Sequence, residues 1–209
     1  MLENTKANVI GEIISDFTLN RKVFGENFYM AKLAVKRLSG QTDIIPLVVP
    51  GRLVEAHKDY KGRTMGVIGQ FRSYIRHEGR KNHLMLFVFV QEIHFMEEFV
   101  DYTKDNQIYL EGYICKEPIY RKTPLGCEIT DLLIAVNRPY GKSDYIPCIC
   151  WWHTARFASY LEVGTRICIS GRIQSREYTK KITETECEIR TAYEVSINEL
   201  NIWEESEDA

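Results

Sequence analysis

The stretch Asn137–Leu161, NRPYGKSDYIPCICWWHTARFASYL, decides how the rest of the chain is read. Arg138, Tyr140 and Lys142 stand in a turn built around Pro139 and Gly141, residue types that fix or free φ where a chain reverses. Tyr145–Trp151 then reads as a strand. Ile146, Cys148 and Cys150 share one face, and Tyr145, Ile149 and Trp151 share the other, because successive strand side chains point to opposite sides. Small apolar groups suit an interior wall, whereas large rings on an outer wall are a liability unless something stacks on them. A short helix is predicted over Thr154–Tyr160, and Trp152, with interior parity at its start, is read as packing.

This stretch has a counterpart 101 residues earlier. Leu33-Ala34-Val35-Lys36-Arg37 and Ile134-Ala135-Val136-Asn137-Arg138 share an Ala-Val-x-Arg core. The same offset places Gly11 on Gly112, Gly40 on Gly141, Asp43 on Asp144 and Ile45-Pro46 on Ile146-Pro147. One residue is then gained, and Gly62, Gly69 and Ser73 meet Gly164, Gly171 and Ser175 at an offset of 102. Self-similarity at a fixed period marks a repeated structural unit, and here the chain contains itself twice.

Each copy has the same plan. In the second, strands are expected over Gln107–Cys115, Cys127–Asn137, Tyr145–Trp151 and Arg166–Tyr178, with a charged hairpin at Thr179–Glu186 and a last strand ending near Leu200. The first copy repeats this from Asn8 to Phe95, with its helix around Arg52–His57 and its fourth strand over Thr64–Tyr74. A glycine inside the long fourth strand permits the bend that closes a small barrel. Five strands with one helix between the third and fourth is the order of an OB-fold. The expected architecture is therefore all-β with short helices, as two tandem five-stranded OB barrels. Residues 1–96 form the first, 97–106 a short acidic linker, 107–200 the second and 201–209 an acidic tail.

Composition narrows the function. The chain has 209 residues, 44% hydrophobic and 27% charged, in the range of soluble globular proteins. No apolar run approaches the roughly 20 residues of a membrane span, and the polar start lacks a signal-peptide pattern, so a cytoplasmic protein is expected. The net charge of −2 is unevenly spread. Residues 8–95 hold 13 Lys/Arg against 8 Asp/Glu, while acids gather in the linker and tail, leaving a usable basic surface. The five histidines pair with no nucleophile and form no H-E-x-x-H, so no catalytic residue is assigned. Of the six cysteines only Cys148 and Cys150 are close in sequence, and no second close pair completes a zinc site. Reduced core cysteines are expected, with no metal and no cofactor.

The outward rings and the cations around them point to a single-stranded nucleic acid. Unpaired bases stack on aromatic side chains for about 1–3 kcal/mol each with little sequence preference, and Lys or Arg neutralise phosphates. Arg172, Gln174, Arg176 and Tyr178 share one face of the fourth strand, and Arg121 and Lys122 in the first loop, with Lys180 and Lys181 in the hairpin, add charge. The competing readings are rings buried between domains or subunits and a merely solvated strand face.

The run AVNRPYGKSDYIPCICWWHTARFASYL, followed by VGTRICISGRIQSREYTKK and TAYEVSINEL, resembles the OB domain of the bacterial single-stranded DNA-binding proteins over residues 107–200. The resemblance implies sequence-independent binding and protection of single-stranded DNA in replication, recombination or repair, at the nucleoid. It places base-stacking positions on Tyr140, Tyr145, Trp151 and Tyr178 and phosphate contacts on Arg138, Lys142, Arg172 and Arg176. Four OB folds per assembly imply a homodimer here, and the family's partners are replication and repair proteins. An alternative is a primosomal or plasmid-associated OB accessory protein that acts mainly through protein contacts.

The first copy departs from this pattern. Ser39, Ile44 and Pro50 stand where the second copy has Tyr140, Tyr145 and Trp151. Phe71, Arg72, Tyr74 and Arg76 remain as a weaker set on its fourth strand. The family's glycine- and proline-rich tail closing in Pro-Phe has no match in Asn201–Ala209, which keeps only the acidic residues.

Overall fold

A computed structural model describes residues 4–55, 57–79, 81–96, 105–181 and 187–203. The first half supplies β1 (Thr5–Ile13), β2 (Thr18–Val23), β3 (Glu26–Lys36), β4 (Thr42–Pro50), β5 (Thr64–Glu78) and β6 (Lys81–Met96). The second supplies β7 (Asn106–Ile114), β8 (Ile119–Lys122), β9 (Glu128–Arg138), β10 (Lys142–Trp151), α1 (Trp152–Ala158), β11 (Arg166–Lys181) and β12 (Cys187–Ile202). Among the described residues no helix is long and apolar enough to cross a membrane. Most of the expected linker and acidic tail, and hairpin residues 182–186, lie outside the described residues.

Each half closes into a barrel of five strands. In the first, β1 pairs with both β5 and β3, β3 with β4, β4 in parallel with β6, and β6 with β5. The second repeats this with β7, β9, β10, β12 and β11. The short strands β2 and β8 add a sixth ribbon at each edge, so Arg121 and Lys122 sit on a strand and not in the expected loop. Closure depends on a bend in the fourth barrel strand. The register of β5 shifts at Ile68/Gly69 and that of β11 at Ser170/Gly171. A Cβ at Gly69 would run into the carbonyl of Phe89, and one at Gly171 into that of Ser196.

Alternation fills the interior. Ala31, Leu33 and Val35 on β3 are buried, as are Leu132, Ile134 and Val136 on β9 and Ile146, Cys148 and Cys150 on β10. The helices diverge. In α1, Ala155 and Ala158 are buried, and Thr130 donates its hydroxyl to the Ala155 carbonyl at 2.7 Å. The helix expected around Arg52–His57 is replaced by one 3-10 turn, Gly51–Leu53. There the Tyr60 ring packs against Phe17 at 5.4 Å and Phe95 at 5.1 Å. Its hydroxyl accepts from the Glu55 amide, so a side chain does the work of the helix. Trp152 also departs from expectation. A positive φ of 53° where strand becomes helix turns it out, and it is 53% exposed.

The halves are joined as one sheet. β1 and β7 run antiparallel, with Ala7 opposite Ile108, Thr5 opposite Leu110 and Val9 opposite Asn106. Ala7 and Ile108 are equivalent positions of the repeat, so a local twofold axis passes between them. Around it the matched residues bond reciprocally. The Ser175 amide donates to Asp43 at 2.6 Å, and the Ile44 amide donates to the Ser175 hydroxyl at 2.9 Å. The Ser73 amide donates to Asp144 at 2.5 Å, and the Tyr145 amide donates to the Ser73 hydroxyl at 2.8 Å. Arg37 grips Asp43 through Nε at 2.7 Å and donates to the Ser175 carbonyl. Arg138 pairs with Asp144 at 2.9 Å, without the alignment of a hydrogen bond, and donates to the Ser73 carbonyl.

Both seam carboxylates are fully buried. Replacing one by a methyl group strands an arginine and the amide donated from the other half, at a cost on the order of 3–5 kcal/mol. Asp43→Ala is therefore expected to lose about 3 kcal/mol or more in urea unfolding, while the exposed-pair variant Arg121→Ala loses less than about 1 kcal/mol. Equal losses in the two variants would remove the seam from its structural role.

Candidate nucleic-acid interface

A groove of about 960 Å³ crosses the outer wall of the second barrel and reaches the first half. Trp151, Arg121, Arg172, Arg176, Tyr193 and, from the first half, Arg37 line it. Trp151 ends β10, with its ring half-buried. Its indole N–H donates to the Ser196 hydroxyl at 3.1 Å, so the ring is held at a fixed angle. The cations differ in how tightly they are engaged. Arg121 pairs with Asp131 at 2.8 Å. Arg176 stands 3.5 Å from Glu194, whose same oxygen also accepts from Gln174. Arg172 makes no salt bridge among the described residues, and burial, then the neighbouring Arg37, lowers its pKa. A half-buried guanidinium whose nearby carboxylate, Asp43, is already engaged by Arg37 suits an incoming anion.

A second groove, of about 700 Å³, lies between the β5–β6 and β11–β12 arms, which project past the barrels. Tyr178 and Lys180 line it from one arm, Arg76 and Met85 from the other, and Tyr193 closes its base. The side chain of Lys181 lies outside those described.

The other residues singled out from the sequence are scattered. Tyr140 is 99% exposed, in a 3-10 turn at φ 66°, a conformation that costs a non-glycine residue on the order of 1 kcal/mol. Tyr145 is 43% exposed on β10, and Lys142 is exposed where that strand begins. Lys122 is 3.6 Å from Glu128. Arg138 was expected at phosphates, but it is placed at the seam against buried Asp144. Phe71 was expected in the first copy's weaker binding set, but it is fully buried. It is the counterpart of Ile173, and its amide is turned to the Thr5 hydroxyl. One position of parity separates it from Arg72, which is half-buried against the ring of Phe89. Tyr74 is exposed and meets Phe87 edge-on at 5.7 Å.

Tyr193 and Arg37 also line the groove of Trp151, although neither stood out from the sequence as a site residue. Tyr193 has the strand parity of buried Val195 and Ile197 and packs against the core at the edge of the groove, so outward alternation gives no signal for it.

The model of the single-strand binding protein family matches residues 105–202. Single-stranded DNA-binding protein B of Bacillus subtilis is 36% identical over 80 residues, covering 35% of this chain and 71% of that protein. The chain belongs to the single-strand binding protein family. The single-stranded DNA-binding protein of Oceanobacillus iheyensis is 34% identical over 80 residues, 35% of this chain and 50% of that one. The chain thus spans about half the length of the first curated relatives it matches. Among solved structures, the single-stranded DNA-binding protein of Thermus aquaticus superposes with a TM-score of 0.73 at 20% identity, covering 98% of this chain and 95% of that one. This likeness reaches both halves and supports the tandem OB fold.

The family's barrel interior here carries two thiols. Burial pushes Cys150 up to about 12 and Cys148 well above its ordinary value, the latter with added repulsion from Cys150. Among the described residues no group of three or more His, Cys, Asp or Glu could hold a metal. Because the thiolate is the reactive form, a thiol reagent at pH 8 is expected to modify exposed Cys187 and to spare Cys148 and Cys150 until urea unfolds the chain. Fast reaction of either buried thiol in the native protein would contradict the barrel interior assigned to β10.

Proposed function

We propose that this chain binds single-stranded DNA without sequence preference and protects it during replication, recombination or repair. The observation that carries the reading is the groove in which Trp151 lies among Arg121, Arg172 and Arg176. A ring held by its own N–H offers a base a stacking surface at little further ordering cost, and the guanidinium groups take phosphates. The names of the curated relatives support the same ligand. Tyr178 and Lys180 in the groove between the arms extend the path, and Tyr140, Tyr145 and Lys142 offer further exposed side chains on β10 and the turn before it.

All three tryptophans (151, 152 and 203) lie in the second half, and Trp151 lines this groove, so quenching of its emission reports on binding there. Titration with oligo-dT at low salt is expected to quench that emission, and Trp151→Ala is expected to weaken binding by about 1–3 kcal/mol. Arg172→Ala is expected to lower the slope of log K against log salt by about one. Unquenched emission at low salt would overturn the reading.

The assembly we propose is a homodimer presenting four OB folds. Its support is an outer sheet face on which Tyr109, Tyr113 and Trp203 are exposed and Arg166 stacks over the Trp203 ring at 4.2 Å. Light scattering is expected to give twice the chain mass, and Tyr113→Glu is expected to halve it. A native chain that scatters as a monomer at micromolar concentration removes this proposal.

A further inference from the structure

The first half lacks a ring at each of the three positions where the second half has Tyr140, Tyr145 and Trp151, yet its outer wall is aromatic. Pro50 stands in the place of Trp151, and the space beside it is filled from other strands. Phe28 on β3 faces Pro50 across the β3–β4 ladder. Phe89 pairs with Val48 as Ser196 pairs with Ile149, so it stands where the second half has the serine that holds its tryptophan. The Phe28 and Phe89 rings meet at 5.9 Å, both half-exposed. The wall has kept its rings while every one of them changed position.

Two arginines flank the pair. Arg72 lies 4.3 Å over the Phe89 ring and Arg21 5.8 Å over that of Phe28. Neither makes a salt bridge among the described residues. Arg72 is held by the neutral side-chain oxygen of Gln70, and it is half-buried, beside Arg138 and Arg21 and with the already engaged Asp144 nearby. Burial is the first cause of its lowered basicity, and Arg138 the second. The second half treats the matching wall differently, setting Arg176 against Glu194. A cluster that only closed the barrel would gain from a carboxylate beside Arg72, because a buried guanidinium without a counter-charge is costly. An anionic ligand supplies that charge.

We propose that the first half holds its own single-stranded nucleic-acid site, in which a base stacks on Phe28 and Phe89 while Arg72 and Arg21 take the flanking phosphates. This rests on the reading of the chain as a single-stranded DNA binder. It differs from that reading in assigning the first half a binding surface of its own chemistry. Cation–π contacts hold both guanidinium groups close to the rings in the empty site, and a base entering over Phe28 meets charge already in place. Tyr74, edge-on to Phe87, extends the wall toward the arms.

The test uses the whole chain and two variants that exchange first-half residues for those of the second half: Phe28→Ile with Phe89→Ser, and Arg72→Gln. Binding of long and short oligo-dT is followed by anisotropy, with tryptophan emission recorded in parallel. The expected result is unchanged tryptophan quenching by short oligonucleotide and roughly tenfold weaker binding of long oligonucleotide in each variant. Photocrosslinking of the unmodified chain to 5-iodouracil-substituted oligo-dT is expected to mark peptides containing Phe28 and Phe89, a readout that does not depend on either variant folding. Full quenching with native affinity in both variants, and crosslinks confined to the second half, overturns this proposal and leaves the general function standing. Absence of any quenching or crosslink overturns both.

Discussion

Two buried carboxylates, Asp43 and Asp144, govern how the molecule is put together. A buried carboxylate is several kilocalories per mole worse than one in water unless its lone pairs are filled. Here the fillers come from both sides of the seam. Each aspartate takes an arginine from its own half and a backbone amide from the other. Asp144 titrates higher than an ordinary aspartate because burial outweighs the Ser73 amide and Arg138. An isolated half would keep the arginine and lose the amide and the reciprocal serine hydroxyl. The halves are therefore joined by polar groups that neither can satisfy alone, in addition to the β1–β7 ladder.

That junction also sets the binding surface. By locking the barrels about one axis it lays the β5–β6 and β11–β12 arms side by side, so Arg76 and Tyr178 line one groove although 102 residues separate them. Arg37 links the two roles. It grips Asp43 and lines the groove of Trp151, so a residue of the first half adds positive potential to the site of the second and lowers the basicity of Arg172. A chain with a net charge of −2 can thus offer an anion a positive channel, since the field near a groove follows local placement and not the sum.

Much of the barrel was legible because burial in a sheet has a period of two. Ile146, Cys148 and Cys150 could only face one way, and they do. The repeat was legible too, and Arg37/Arg138, Asp43/Asp144 and Ser73/Ser175 stood out as matched pairs. Their job did not, because each bond across the seam spans more than 60 residues and the matching reveals only that both copies carry the group. Arg138 beside Tyr140 and Lys142 looked like one of a basic set. Only the fold shows it turned to a buried aspartate. Phe71 was misassigned through one step of parity, since it alternates inward with Met65, Val67 and Ser73 along β5. Trp152 was misread for a different reason, since a positive φ at a strand–helix junction breaks the alternation that assigned it inward. The missing helix of the first half left no clear signal, because a tyrosine ring from another turn fills its place.

The two outer walls differ in a way that the inner ones cannot. Interior positions answer to the barrel's volume, so Ile173 and Phe71 exchange only one apolar group for another. Outer positions answer to solvent and ligand, and there Glu194, Gln174 and Ser196 give way to Phe87, Arg72 and Phe89. The ring of Trp151 is oriented by a hydrogen bond, a directional restraint that fixes its plane. Phe28 and Phe89 are held by packing and by guanidinium groups lying on their faces, which restrain position more than angle. A base bound as proposed on the second half would meet a fixed platform, and one on the first half would meet rings that can tilt with it. Duplication of one barrel has produced one rigid and one adaptable surface on a single sheet, with the arginines of the seam lying between them.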